Sequence, residues 1–478
     1  MTEKLTPDLC VIGAGSGGLS VAAGAAQMGA NVVLVERGAM GGDCLNVGCV
    51  PSKALIAAAH GVQQSRNLAK FGACAGEPRV DFAQVHSHVH DTIAAIAPND
   101  SVERFEGLGV RVVQAEGQFS DPRHLVADGV RVQARRFVIA TGSTAFVPPI
   151  PGLDKVAYLT NESVFELTEC PDHLVVIGGG PIGVELAQAY RRLGAKVTVI
   201  EMATILSRDD ADAVEVVRTR LLAEGVDVRE GMGVTKVSAQ GNGVEVTLSR
   251  PGNGATNSAI VQGSHLLVAV GRRPVFNKLE LDAAGIAYSN QGIQVDRRLR
   301  TTNKRVFAIG DVIDSYRFTH VANYHAGIVI KNALFRWPSR VNYDAVPWVS
   351  YADPELAQVG LTEAEARAQD PKARVLSHPF ADNDRAQAER ETEGFIKVVI
   401  GRKGRVLGAT IVGAGAGEMI LPWVMAIDQG LKIGAMAGLI VPYPTLSEVS
   451  KRVASSYFTP TLFGDRTRRL VRFLSRLP

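Results

Sequence analysis

Two distant stretches of the chain carry the same order of apolar runs and small residues. Leu9–Ile12 is an unbroken apolar run and predicts a buried strand. Leu19–Met28 predicts a small-residue helix, and Asn31–Val35 a second strand ended by Glu36. The pattern returns as strand Leu174–Ile177, helix Val184–Leu193 and strand Lys196–Ile200, ended by Glu201. Arg136–Ala140, Leu266–Val270 and Arg305–Ile309 read as further short strands, each soon followed by a glycine. Beyond about Val346 the pattern changes, and strands such as Phe395–Ile400 and Arg405–Val412 alternate with helical stretches. The expected boundaries fall near Ile150, Arg272 and Ala345, dividing the chain into 1–150, 151–272, 273–345 and 346–478.

The turn inside each repeated unit is rich in glycine. Gly13-Ala-Gly15-Ser-Gly-Gly18 follows the first strand and Gly178-Gly-Gly180-Pro-Ile-Gly183 follows the later one. In such a turn the first two glycines let backbone approach a pyrophosphate, and the third lets helix pack on strand. The helix N-terminus offers unpaired N–H groups and the positive end of its dipole. A carboxylate closing the second strand, here Glu36 or Glu201, accepts from ribose hydroxyls. One such fingerprint is weak evidence. Two complete β-α-β units predict an α/β protein with two Rossmann-like dinucleotide-binding domains and an α+β end.

Composition narrows the class. With 478 residues the chain can bury several cores, and 46% hydrophobic and 21% charged residues are ordinary for a globular protein. A net charge of +3 does not suggest nucleic-acid binding. No apolar run approaches a membrane span and the start reads as a short polar lead, so the expected location is cytoplasmic.

Five cysteines do not make a disulfide framework. Cys10 is expected as a buried strand residue, and Cys74 and Cys170 lack a partner at a telling spacing. Cys44 and Cys49 differ, because they sit in Gly41-Gly-Asp-Cys44-Leu-Asn-Val-Gly-Cys49-Val-Pro51-Ser-Lys53, directly after the first unit. Their spacing does not suit a zinc knuckle. Pro51 fits the first turn of a helix, which places Cys49 near a helix N-terminus where the dipole favours thiolate. The pair is arranged for dithiol–disulfide exchange.

These residues resemble the class I pyridine nucleotide–disulfide oxidoreductases, a family that includes dihydrolipoamide dehydrogenase, glutathione reductase and mercuric reductase. The resemblance runs through Thr141-Gly142, Gly271-Arg-Arg-Pro274, Thr302 to Gly310-Asp311 and Tyr351-Ala-Asp-Pro354-Glu355. It implies that Gly13, Gly15, Gly18, Glu36, Thr141, Gly142 and Asp311 bind FAD, with Asp311 on the ribityl chain. Gly178, Gly180, Gly183, Glu201 and Gly271 would serve NAD(P)H. Cys49 would be the thiol nearer the flavin and Cys44 the exchange thiol. Lys53 would pair with Glu185 beside the flavin. The C-terminal domain would form a homodimer whose Tyr443 and Glu448 complete the partner's site.

One departure bears on the substrate. Disulfide-reducing members carry His-Pro-x-x-x-Glu, whereas this chain reads Tyr443-Pro444-Thr445-Leu446-Ser447-Glu448, and its last histidine is His378. A phenol of pKa near 10 is a poor base at neutral pH, so lipoamide and glutathione disulfide are expected to be reduced only slowly. Mercuric reductases resemble the chain more closely in this segment, although their N-terminal metal-binding module and C-terminal cysteine pair are not seen in this sequence. The leading expectation is therefore an NAD(P)H-driven reductase of a soft metal ion or small acceptor such as a quinone. Dihydrolipoamide dehydrogenase is the alternative, and a flavoprotein whose bound nicotinamide controls a partner is a third. Glu201 favours NADH over NADPH, with Arg208 the nearby cation.

Two further features are expected to be structural. His86, His88 and His90 read as a solvated helix face in preference to a metal site. Arg466–Leu477 carries five arginines with Leu470, Phe473, Leu474 and Leu477 at helical spacing. Packing of that apolar face on the protein is expected in preference to contact with an anionic membrane.

Overall fold

The computed structural model describes residues 3–73, 76–250 and 259–477. Cys74 lies outside them. The first unit consists of β1 (Leu9–Ile12), α1 (Ser16–Gln27) and β2 (Val32–Glu36), continued by α2 (Cys49–Asn67) and α3 (Phe82–Ile96). Strands β3 (Val110–Gln114) and β4 (Arg136–Ile139) follow. The second unit is β5 (His173–Ile177), α4 (Pro181–Leu193) and β6 (Lys196–Glu201), with β7 (Asp227–Glu230) and β8 (His265–Val268) beyond it. The chain then returns to the first sheet as β9 (Val306–Ala308) and α5 (Thr319–Ala333).

Both sheets are parallel, in the orders β9-β4-β1-β2-β3 and β7-β6-β5-β8. Strands buried on both faces are largely apolar, which is why β1 reads Leu-Cys-Val-Ile and β5 runs Leu-Val-Val-Ile after His173. In each sheet a glycine turn at the carboxyl end of the central strand opens toward the cleft, where open α/β sheets bind ligands. Both helices begin three residues before the expected positions, at Ser16 and Pro181. The glycines and Pro181 there carry no apolar pattern, yet they occupy first-turn positions where that costs little.

The last region is a separate antiparallel sheet, β10 (Pro347–Ser350), β11 (Glu355–Gly360), β12 (Arg374–Pro379), β13 (Phe395–Ile400) and β14 (Val406–Gly413), ordered β10-β11-β14-β13-β12. Trp423, Phe380 and Ile411 lie in its own buried core. Lys397 on β13 is buried and meets Asp210 at 2.8 Å, Asp212 at 2.6 Å and Glu363 at 3.1 Å. Burial disfavours its charge, but the three carboxylates outweigh that and raise its pKa. The cluster ties the second nucleotide unit to the antiparallel sheet; removing one partner of its buried Lys397–Asp210 pair costs about 3–5 kcal/mol, and the exposed Asp212 contributes less.

The C-terminal helices are α6 (Glu448–Ser456) and, after a short turn, α7 (Asp465–Leu474). No residue of α7 is buried, so its apolar face does not pack on this chain as expected. Amphipathic spacing specifies a face but not what covers it, and the fold ends its own core at α6, where Val449, Val453 and Ala454 are buried. Among the described residues no helix is long and apolar enough to cross a membrane.

Candidate active site

Each glycine turn is built for close backbone approach. Gly13 has φ +104° and Gly178 φ +109°, and a Cβ there would stand 2.4 Å from the Ala140 carbonyl oxygen or 2.5 Å from that of Ala269. A Cβ at Gly18 or Gly183 would sit 1.9 Å from the oxygen of Gly13 or Gly178. Gly15 and Gly180 instead face open space. Neither α1 nor α4 has a side-chain cap, so first-turn N–H groups point unclaimed toward the cleft. Glu36 accepts from the backbone of Ala14 at 2.5 Å and Gly38 at 2.7 Å. Glu201 does the same with Gly179 at 2.8 Å and Ala203 at 2.9 Å. Each carboxylate is aimed across its loop with lone pairs to spare for a ribose.

The two turns share one cleft of about 2690 Å³, lined also by Cys44, Cys49, Lys53, Thr141, Gly142, Glu185, Gly271 and Asp311. That volume exceeds a single small-ligand pocket several-fold. Open glycine cradles, uncapped helix starts and paired carboxylates fit two bound dinucleotides.

Cys49 opens helix α2 and Cys44 lies in the short helical turn Gly42–Asn46 before it. Both thiols are free in this structure. A hydrogen bond from Cys44 is the largest influence on Cys49 and lowers its pKa to about 6. Burial opposes this, while Thr319 and the Lys53 charge assist. Cys44, donating to Cys49 and partly buried, is pushed up instead. The Thr319 hydroxyl stands 3.5 Å from the Cys49 sulfur. The pair is thus asymmetric, one thiolate and one thiol.

Lys53 Nζ donates to Glu185 Oε2 at 2.7 Å and lies 4.4 Å above the Tyr351 ring. Glu185 Oε1 accepts from the Tyr351 backbone at 2.9 Å. These contacts join α2, α4 and the segment entering β11 at the floor of the cleft. Asp311 accepts from Ser143 Oγ at 2.7 Å, Ser143 accepts from Arg272 Nε at 2.8 Å, and Arg272 also pairs with Asp43 beside Cys44. The Thr141 hydroxyl donates to the Val275 carbonyl at 2.5 Å. His325, buried and held near pKa 4 by that burial, accepts from Gly310 N at 3.2 Å and lies 2.8 Å from the Tyr343 hydroxyl. It stays neutral and pins the turn that presents Asp311.

Tyr443 is not brought to the thiols of its own chain. It is 68% exposed and donates to Asp384 at 2.8 Å. That hydrogen bond raises its pKa further. Glu448 starts α6 and pairs with Arg452 at 2.9 Å. Thr319 and Ser143 carried no signal in the sequence because they act across 270 and 168 residues, and His325 and Tyr343, 18 residues apart, stand in no motif. Arg272 did stand in the Gly271-Arg-Arg-Pro274 motif. The rings of His86 and His90 lie 4.2 Å apart, centre to centre, tilted at 45°, and the fold adds Glu166 4.0 Å from His90 Nε2.

A parallel-sheet nucleotide unit repeated across one cleft, with an asymmetric dithiol opening a helix between them, defines a dinucleotide-dependent redox enzyme. The chain belongs to the pyridine nucleotide-disulphide oxidoreductases: the family's model matches residues 7–326 and its dimerisation domain residues 346–454. Members bind FAD and use NAD(P)H, and the dimerisation domain supports a homodimer. The chain is 36% identical to a mercuric reductase of Streptomyces lividans, over 94% of this chain and 96% of the relative. It is 38% identical to a dihydrolipoyl dehydrogenase of Geobacillus stearothermophilus, over 93% and 94%. A Cu(II) complex of the HOCl-induced flavoprotein disulfide reductase RclA from Escherichia coli superposes with a TM-score of 0.83 at 29% identity, covering 94% of this chain and 99% of that one. These relatives support flavoprotein disulfide oxidoreductase chemistry and leave the acceptor open.

Proposed function

We propose that the chain uses NAD(P)H to reduce a thiophilic metal ion, or a small acceptor such as a quinone, in preference to a disulfide. The observation that carries this is Tyr443 where disulfide-reducing relatives place a histidine, its phenolic proton committed to Asp384. Reducing a disulfide requires a departing thiolate to be protonated, and a phenol above pKa 10 exchanges protons poorly at neutral pH. A metal ion held by the Cys44 and Cys49 sulfurs needs no such proton: NAD(P)H with one two-electron ion such as Hg²⁺, or with two Cu²⁺ ions, gives NAD(P)⁺, the reduced metal and one proton. FAD, when bound, supplies the relay between hydride and the thiols. The chain's residues supply the rest. The glycine cradles and uncapped helices would hold both pyrophosphates, Glu36 and Glu201 would orient the riboses, and Asp311, steadied by Ser143 and Arg272, would hold the ribityl segment. The Lys53–Glu185 pair keeps a cation near the Cys49 sulfur, where it would also act on the flavin. The name of the Streptomyces relative and the Cu(II) complex of the Escherichia coli protein favour a soft metal as substrate.

An anaerobic panel of mercuric ion, Cu(II), a quinone, lipoamide and glutathione disulfide tests the reading. Metal ion or quinone should turn over at least about 10²-fold faster than either disulfide, the usual cost of a missing general acid–base. Tyr443→His should raise disulfide turnover toward that limit. Lipoamide reduced rapidly by the unaltered protein would overturn the proposal and establish a dihydrolipoamide dehydrogenase.

A further inference from the structure

The C-terminal helix α7 has two faces that nothing among the described residues covers. Leu470, Phe473 and Leu474 form one stripe on the helix, with Val471 on its flank and Leu477 just past the helix's end. They are 55%, 62%, 50%, 58% and 55% exposed, in that order. Leu462 and Phe463, immediately before the helix, are exposed as well. Arg468, Arg469 and Arg472 lie around the other side with Asp465, the helix's single acid, while Arg466 falls on the stripe one turn before Leu470 and Arg476 follows the helix's end. Among the described residues none of these arginines is in an ion pair. The helix also lies beyond residue 454, where the match to the dimerisation domain ends.

We infer that α7 is an interfacial anchor that lays the enzyme on an anionic lipid bilayer. Charge decides between occupants. A second copy packed stripe against stripe would cover the apolar face and leave the arginines on the opposite side without a counter-charge. An anionic bilayer satisfies both faces: the Leu/Phe stripe enters the boundary between headgroups and acyl chains while the arginines meet lipid phosphates. Ten residues and dense positive charge fit a helix lying in the surface plane, not one crossing it. Such an anchor would hold the cleft at the lipid surface, close to any lipid-dissolved acceptor. The inference does not depend on which acceptor the thiols serve.

The test is co-sedimentation of the full flavin-loaded chain with phosphatidylcholine vesicles, with and without phosphatidylglycerol. Binding should require phosphatidylglycerol and weaken as salt is raised. Phe473→Asp with Leu474→Asp, and separately Arg469→Ser with Arg472→Ser, should each weaken it about tenfold or more. Because these side chains are exposed, reduction of a soluble acceptor and the flavin spectrum should be unchanged. Absence of binding to phosphatidylglycerol vesicles at low salt, or equal binding by the Asp variant, would overturn the inference. So would dissociation of the dimer by the Asp variant in light scattering, which would make α7 a subunit contact.

Discussion

The two nucleotide units are near copies whose downstream segments differ. Gly13 and Gly178 share a left-handed φ within a few degrees and the same close carbonyl, and Glu36 and Glu201 cap their loops in the same way. After Glu36 the chain turns through Gly41 and Gly42 into the Cys44–Cys49 segment and α2. After Glu201 it runs through Leu206, Ser207 and Arg208 to Asp210, whose carboxylate meets Lys397 of the antiparallel sheet. The glycine turn and its closing carboxylate are thus duplicated, while the cysteine pair follows one copy alone. The backbone device is general, and the segment after the carboxylate specialises it.

The sharpest way to break that comparison is to remove the attachment. Cys44→Ser or Cys49→Ser should lower NAD(P)H-driven turnover of thiol-dependent acceptors by at least about 10³-fold, as loss of a group central to the chemistry does. Flavin content and reduction by NADH should survive. Two-electron reduction of the unaltered protein should produce a long-wavelength thiolate–flavin band, absent in Cys49→Ser and present without reductant in Cys44→Ser. A band retained in Cys49→Ser would reverse the assigned thiol roles.

Adding one methyl to each cradle separates the two units next. Gly15→Ala and Gly180→Ala meet no backbone clash, so both variants should fold. The first should lose affinity for FAD and the second for NAD(P)H, each about 10–100-fold, by blocking approach of the pyrophosphate. Flavin fluorescence on dilution and the KM for NADH read the two effects independently. If Gly180→Ala also released flavin, the units would not be separable as described.

A smaller effect distinguishes the carboxylates. Glu201 should favour NADH by repelling a 2′-phosphate, and Glu201→Gln should narrow the ratio of kcat/KM values about tenfold. A native ratio favouring NADPH would mean that Arg208, which lines the same cleft, outweighs Glu201.

The mildest test is of pH. The Cys49 pKa is depressed to about 6, so its thiolate fraction falls as pH drops through 6 and is nearly complete by neutrality. Alkylation of the reduced enzyme by iodoacetamide should follow that midpoint. In Lys53→Met the midpoint should move upward, because a lowering charge is lost. An unshifted midpoint would leave the Cys44 hydrogen bond and Thr319 as the whole cause.

Much of this molecule was legible before folding, because its signals are local. A buried parallel strand is largely apolar, a pyrophosphate turn must lack side chains, and a carboxylate must end the next strand. β1, β2, β5 and β6, Gly13 to Gly18, Gly178 to Gly183, Glu36 and Glu201 are all read from windows of about thirty residues. The Cys44–Cys49 pair and its place at a helix start were legible for the same reason. Tertiary structure decided whatever depends on a distant partner. Lys53 meets Glu185 across 132 residues and Cys49 meets Thr319 across 270. The Asp43–Arg272–Ser143–Asp311 chain joins segments that share no motif. The last helix shows the division most plainly. Its spacing announced an apolar face, but whether that face finds a surface depends on where the core ends, and here it ends one helix earlier, at α6.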